Sequence, residues 1–184
     1  MKGSISLVMG GMFSGKSTEL LRIINRWKVI GKKIMIINHS LDDRYSNNNK
    51  IATHDKQFTD CISVEYLIPL METPEYKNSD IIVIEEGQFF KDLFAFSTIS
   101  ADKNNKILVI AGLDGDSNRE PFGDILRLIP HSESVIKLSA ICLMCNDGTT
   151  AHFSKRLNNS NDSQVHVGTD NDYVAVCRKH FLDL

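Results

Sequence analysis

The sequence predicts an α/β fold: a parallel sheet flanked by helices and built around a glycine-rich phosphate loop (P-loop), followed by a small C-terminal zinc-binding lobe and loop. Three observations carry that expectation. Four continuous apolar runs punctuate the first two-thirds of the chain, helical patterns fall between them, and two close pairs of metal-ligand residues sit near the end. Unbroken apolar strands alternating with helices mark a parallel sheet covered on both faces.

The elements follow in order. Ile5-Ser6-Leu7-Val8-Met9 reads as a buried strand. A helix is expected from about Lys16 to Ile30, because Leu20, Ile24 and Trp27 recur at helical spacing and Gly31 terminates it. Ile34-Met35-Ile36-Ile37 is the second strand, and the polar segment from Asp42 to Lys56 reads as a mobile loop. Ile81-Ile82-Val83-Ile84 is the third strand and runs into Glu85-Glu86-Gly87. Leu93 to Asp102 reads as a helix, and Ile107-Leu108-Val109-Ile110 as the fourth strand. Near Cys142 the pattern changes to cysteine pairs and short alternating runs such as Gln164-Val165-His166-Val167. A boundary at about residue 140 therefore separates a nucleotide-binding domain, 1–140, from a zinc-binding lobe, 141–184.

Bulk properties narrow the function classes. A chain of 184 residues suits one compact domain with a small appendage. Its net charge of -2 argues against wrapping nucleic acid, which requires a basic face. No stretch approaches the ~20 apolar residues of a membrane helix, and the short first apolar run does not suit a signal peptide. A soluble, cytoplasmic protein is the expectation. Four cysteines are too few for a disulfide scaffold, and Cys61, standing alone, reads as a packing residue.

Gly10-Gly11-Met12-Phe13-Ser14-Gly15-Lys16-Ser17 fits G-x-x-x-x-G-K-[ST] without a mismatch, with a strand before it and a helix after. The glycines let successive N–H groups turn toward phosphate oxygens, and the helix adds its positive end. Lys16 would reach the β- and γ-phosphates, and the Ser17 hydroxyl would ligate magnesium. Beside such a loop, a strand ending in acid supplies a carboxylate for the metal. Glu85 and Glu86 are adjacent. On a strand they would point to opposite sides, so that one faces the metal and the other takes a proton from an attacking hydroxyl.

Cys142-x-x-Cys145 and Cys177-x-x-His180 supply three thiolates and one imidazole. That is a closed tetrahedral set for a structural zinc, with no open position for catalysis. The 31 residues between the pairs form a loop pinned at its base. A lobe with little apolar content of its own gains most from such a staple.

The motifs taken together resemble the type II thymidine kinase family, in its cellular and poxvirus forms. The resemblance rests on Gly10 to Leu20, Glu86-Gly87-Gln88-Phe89-Phe90, Leu113-Asp114-Gly115 with Pro121-Phe122-Gly123, Ser154-Lys155-Arg156-Leu157, and Cys177-Arg178. They run in family order from about residue 4 to 181, and the Glu-Gly-Gln-Phe-Phe segment is the most specific. The resemblance implies transfer of the ATP γ-phosphate to the 5′-hydroxyl of thymidine, in pyrimidine deoxynucleotide salvage. It implies Glu86 as general base, and ATP held by the loop residues Gly10 to Ser17 with Thr18, Asp42 and Arg44. Magnesium falls to Ser17 and Glu85. Met12, Phe89, Leu113, Phe122, Ser154, Arg156, Val167, Gly168 and Tyr173 match substrate-binding positions, and the loop between the zinc pairs matches a "lasso" that closes over the base. Homotetramers and feedback inhibition by dTTP are further implications. By residue type alone, Phe89 and Phe122 read as core and Lys155-Arg156 as a solvated basic pair.

Several positions depart from the family pattern. Glu85 stands where Asp is common, and Gly11 where proline is frequent, a change expected to loosen the loop. Ser117 replaces an aromatic residue of the base pocket, which keeps deoxyuridine or deoxycytidine open as substrates. The stretch from Asn146 to Phe153 is about two residues longer than usual. His180 replaces a fourth cysteine and is equivalent for zinc. A nucleic-acid motor would carry long basic surfaces and helicase motifs, and the sequence shows neither.

Overall fold

The computed structural model describes residues 2–41, 50–52, 58–157 and 172–183. Its centre is a six-stranded sheet in the order β5-β2-β6-β7-β1-β8. The strands are β1 (Ser4–Gly10), β2 (Ile34–His39), β5 (Ile62–Val64), β6 (Ile81–Ile84), β7 (Ile107–Gly112) and β8 (Ser134–Leu138). Every pairing in it is parallel. A short antiparallel pair, β3 (Lys50–Ala52) with β4 (Phe58–Asp60), lies between β2 and β5 in sequence.

Alternation along the strands explains why the apolar runs are unbroken. Leu7, Met9, Met35, Ile37, Ile82, Ile84, Leu108 and Ile110 join one apolar cluster, which includes Leu93 and Phe96 of helix α3 (Leu93–Asp102). Val8, Ile36, Ile81, Val83, Ile107, Val109 and Ala111 join another, with Leu20, Leu21 and Ile24 of helix α1 (Lys16–Val29). A third helix, α2 (Pro74–Asn78), precedes β6. Because both faces are covered, neither parity of the strand can be polar. Cys61 packs within the α1-side cluster, as a lone buried cysteine should.

Helix α1 ends as its sequence requires. Gly31 adopts φ 70, its N–H reaches the Lys28 carbonyl at 3.0 Å, and Lys32 N–H reaches Trp27 at 3.3 Å. These are the two bonds of a Schellman cap, which needs a residue free to turn left-handed.

Past β8 the chain leaves the sheet for two small antiparallel pairs. These are β9 (Ala140–Ile141) with β10 (Thr150–Ala151), and β11 (Phe153–Arg156) with β12 (Tyr173–Val176). A short helix α4 (Arg178–Leu182) follows. Their shared core is Ala140, Cys142, Ala151, Val174, Ala175 and Val176, small side chains with little area to bury.

Three sequence expectations differ from this structure. The segment from Asp42 to Lys56 was expected to be all loop, but β3 lies within it; 42–49 and 53–57 are outside the described residues, as is the alternating run 164–167. Edge strands β5 and β8 were not anticipated. β8 is exposed along most of its length, so it lacks the apolar run that marks the buried strands.

Candidate active site

The C-terminal ends of β1, β6 and β7, strand β11 of the tail and the turns between them converge on one region. The phosphate loop joins β1 to α1, with Gly15 as the helix N-cap at φ 85. Phe13 is held at φ 63, a left-handed geometry that costs a non-glycine residue roughly 1 kcal/mol. Lys16 Nζ donates to the Gly11 carbonyl at 2.9 Å, and the Ser14 hydroxyl donates to the same carbonyl at 2.8 Å. The lysine ammonium therefore lies over the loop it would serve.

Gly11 lies close to the tail. A Cβ there would sit 3.0 Å from Ser154 Oγ. That same Ser154 oxygen accepts the Met12 N–H at 2.8 Å. Ser154 is buried on β11, so the tail grips the phosphate loop by its backbone.

Glu85 and Glu86 are both buried, at 6% and 8% exposure. The Ser17 hydroxyl donates to Glu85 Oε1. A hydroxyl beside a carboxylate forms a pair of hard oxygen donors suited to magnesium. Glu85 also continues the sheet, its N–H bonding the Ile37 carbonyl at 2.9 Å. Glu86 diverges from Glu85, but not by strand alternation as the sequence suggested. β6 ends at Ile84, and Glu86 turns left-handed, φ 54 and ψ 40, to open the 3-10 turn Gly87–Phe89. The two carboxylates meet different partners, Glu85 the Ser17 hydroxyl and Glu86 the Gln88 amide.

Gln88, quoted in a motif but given no role from sequence, is 3% exposed. Its Nε2 donates to Glu86 Oε2 at 2.5 Å, and its Oε1 accepts the Leu113 N–H at 2.9 Å. His39 was also missed. It is 2% exposed and lies edge-on to Phe90, with ring centroids 4.6 Å apart, and 5.7 Å from Phe89. Burial holds its pKa below the ordinary histidine value, against the opposing charge of Glu65. Its sequence signal was a polar residue ending an apolar strand run.

The structure brings expected substrate residues together in pairs: Phe89 with Phe122, Met12 with Ser154, and Arg156 with Tyr173. Phe89 is half-buried and meets buried Phe122 edge-to-face at 5.5 Å. Met12 and Leu113 are half-buried, each tied through its backbone N–H to the site. Tyr173 is buried, and its hydroxyl oxygen accepts from Arg156 Nη2 at 2.9 Å. Lys155 Nζ donates to the Phe181 carbonyl at 2.9 Å. The basic pair is thus engaged by the tail rather than simply solvated. Thr18 lies in the first turn of α1. Asp42, Arg44, Val167 and Gly168 fall outside the described residues. Ser117 is half-buried in a turn where Asp116 Oδ1 accepts the N–H groups of Asn118 and Glu120.

The metal-ligand set assembles across the tail. Sγ of Cys142, Cys145 and Cys177 and a ring nitrogen of His180 all lie within 4.8 Å of one another. The Cys145 and Cys177 sulfurs are 3.8 Å apart, which matches the edge of a tetrahedron with Zn–S bonds of ~2.3 Å. The Cys177 N–H donates to Cys142 Sγ at 3.2 Å. Burial disfavours the Cys142 thiolate, yet that N–H, the Cys145 N–H and His180 lower its pKa overall. Burial and the adjacent sulfurs raise that of Cys145. Sulfurs crowded so that they compete for ionisation are what a dication relieves, so the donor set fits zinc.

A thymidine kinase family profile matches residues 3–181. This chain belongs to the thymidine kinase family. Proteins named thymidine kinase from three viruses are similar to it over nearly their whole length. The one from Sheeppox virus (strain KS-1) is 42% identical, covering 98% of this chain and 98% of its own. That of Yaba monkey tumor virus (strain VR587) is 41% identical, covering 96% and 93%. That of Vaccinia virus (strain Western Reserve) is 40% identical, covering 98% of each. Among the described residues no helix is long and apolar enough to cross a membrane.

Proposed function

We propose that this chain transfers the γ-phosphate of ATP to the 5′-hydroxyl of thymidine, giving dTMP and ADP. What carries the reading is one coincidence: the thymidine kinase family match spans residues 3–181, and within it the Ser17 hydroxyl meets Glu85 with buried Glu86 next in the chain.

In the proposed mechanism Glu86 orients the 5′-hydroxyl and accepts its proton. The freed oxygen bonds to the γ-phosphorus in line with the departing oxygen of ADP, which keeps the electron pair of the broken bond. The N–H groups of Gly10 to Ser17, with Thr18, cradle the phosphates, and Lys16 offsets their charge. Ser17 and Glu85 would hold magnesium, which when bound neutralises phosphate charge. Asp42 and Arg44 join the phosphate site on the strength of the resemblance alone.

Met12, Phe89, Leu113, Phe122, Ser154, Arg156 and Tyr173, with Val167 and Gly168 from the loop, form the proposed thymidine site. Cys142, Cys145, Cys177 and His180 hold a structural zinc. We propose further that 1–140 and 141–184 are the two domains, that the chain is a cytoplasmic homotetramer without nucleic-acid or membrane partners, and that dTTP inhibits it at the substrate site.

The test is product formation. Thymidine, deoxycytidine and deoxyguanosine are each incubated with Mg-ATP and followed by chromatography. Formation of dTMP with the other two unchanged is the expected result. Folded protein that binds ATP but makes no dTMP would exclude the reading.

A further inference from the structure

Gln88 is a side chain for which neither the phosphate loop nor the zinc set provides a reason. Its amide is fixed at both ends. Oε1 accepts the Leu113 N–H at 2.9 Å, so the donor end must face the other way, where Nε2 meets Glu86 Oε2 at 2.5 Å. A backbone N–H can only donate, which removes the ambiguity that an amide ordinarily carries.

The surroundings leave room for this residue. A Cβ on Gly112, at the end of β7, would lie 2.6 Å from Gln88 Oε1, so a larger residue there would displace the side-chain amide, and one on Gly123 would lie 2.2 Å from the backbone carbonyl oxygen of Gln88 and would displace the turn that carries it. Glu86 itself is held left-handed, so the turn presenting the carboxylate is under strain that its contacts must offset.

We propose that Gln88 is the positioning residue for Glu86: it fixes the plane of the Glu86 carboxylate and ties it to the Leu113 backbone that borders the thymidine site. The bond joins an amide donor to a buried carboxylate. In a buried site such a bond is stronger than in water, and its loss is correspondingly costly. The proposal rests on Glu86 as the base, a reading that a separate variant tests.

The experiment is a double-mutant cycle read by kcat and KM. Gln88→Met keeps the length and removes both polar ends. Gln88→Glu keeps an acceptor for the Leu113 N–H and sets a second carboxylate against Glu86 in place of the donor, so it opposes the proposed positioning directly if the methionine protein fails to fold. Each should lower kcat for thymidine by about 10- to 100-fold, as loss of a buried charge-assisted hydrogen bond does, while KM for ATP stays near that of the native protein. In a Glu86→Gln background the further loss from Gln88→Met should nearly vanish, because residues acting through one another are not additive.

Full additivity, or a loss confined to KM, would overturn the role of Gln88. Near-native turnover of Glu86→Gln alone would instead remove the base, a result distinct from additivity in the cycle.

Discussion

The sheet and the tail that carries the cluster of three cysteines and one histidine bury very different amounts of apolar surface. In the sheet, Leu7, Ile37, Ile82, Ile84 and Leu108 are fully buried on the face that Phe96 of α3 covers, and Ile81 and Val83 on the face that Leu20 and Ile24 of α1 cover. Each such side chain contributes roughly 1.5–3 kcal/mol by leaving water. The buried core of the tail is alanine, valine and cysteine, with Phe13, Phe153 and Phe181 packed partly buried against it, and its two strand pairs are only two and four residues long. The proposed zinc would supply much of the tail's order, whereas the sheet has a large apolar core of its own. The proposed phosphate site lies on the first kind of structure and the proposed thymidine site on the seam between them.

Removing zinc should break this contrast most sharply. Structural zinc binding is worth on the order of 10 kcal/mol of folding free energy, far more than the tail's apolar core can supply. Cys145→Ser, or stripping with a chelator, should abolish dTMP formation while the sheet retains an ATP analogue. Calorimetric titration of the analogue beside the activity assay reads both. A zinc-free protein with full activity would show that the tail folds on its own.

Apolar truncation sharpens the comparison from the other side. Leu20→Ala should cost about 3 kcal/mol, since it leaves a cavity against the sheet. Val174→Ala in the tail should cost no more than about 1–2 kcal/mol. Urea unfolding followed separately by tryptophan fluorescence, from Trp27 on α1, and by zinc release distinguishes the two. Equal effects on both signals would mean one cooperative unit.

The Ser154 hydroxyl is the stitch across the seam, accepting the Met12 N–H. Ser154→Ala should weaken the protein by about 1 kcal/mol and raise KM for thymidine and ATP together. A change in KM for thymidine alone would place Ser154 in the thymidine site without coupling the lobes.

The smallest expected effect is a pH dependence confined to the sheet. Burial lowers the His39 pKa from its ordinary value near 6.5. The unfolded chain therefore binds a proton that the folded chain refuses, so stability falls as pH drops through about 6.5 toward the depressed folded value. The decline levels off below that value. Melting temperatures of the native protein and of His39→Gln, compared from pH 8 to 5, should converge toward acid. A constant difference across that range would mean that His39 is not the group responsible.

The two lobes also differ in how far the sequence could be read. Strands β1, β2, β6 and β7 and helices α1 and α3 lay close to their expected bounds, because a strand buried on both faces is one continuous apolar word. Edge strands β5 and β8 have no such word. The phosphate loop and the zinc ligands were legible because their chemistry is local, each pair or loop being set by spacing of a few residues. Gln88 was not. Its meaning depends on the Leu113 backbone, 25 positions away, and on Gly112 and Gly123 making room for it. Nor could the sequence show that Ser154 would reach Met12, 142 positions back, or that Gly11 is small for that reason.

What the sequence by itself determined was chemical inventory and local geometry: a loop of phosphate-loop pattern, two acids after a strand, four residues that could hold a metal, and a family. Local patterns suffice there because hydrogen-bonding period, turn preference and ligand spacing act over a few residues. Only the tertiary structure decided how those parts face one another. It set Ser17 against Glu85, turned Glu86 away through a left-handed backbone, and closed β11 onto the phosphate loop. Such contacts are fixed by packing between distant segments, where the energy of burial selects one arrangement that no local preference encodes.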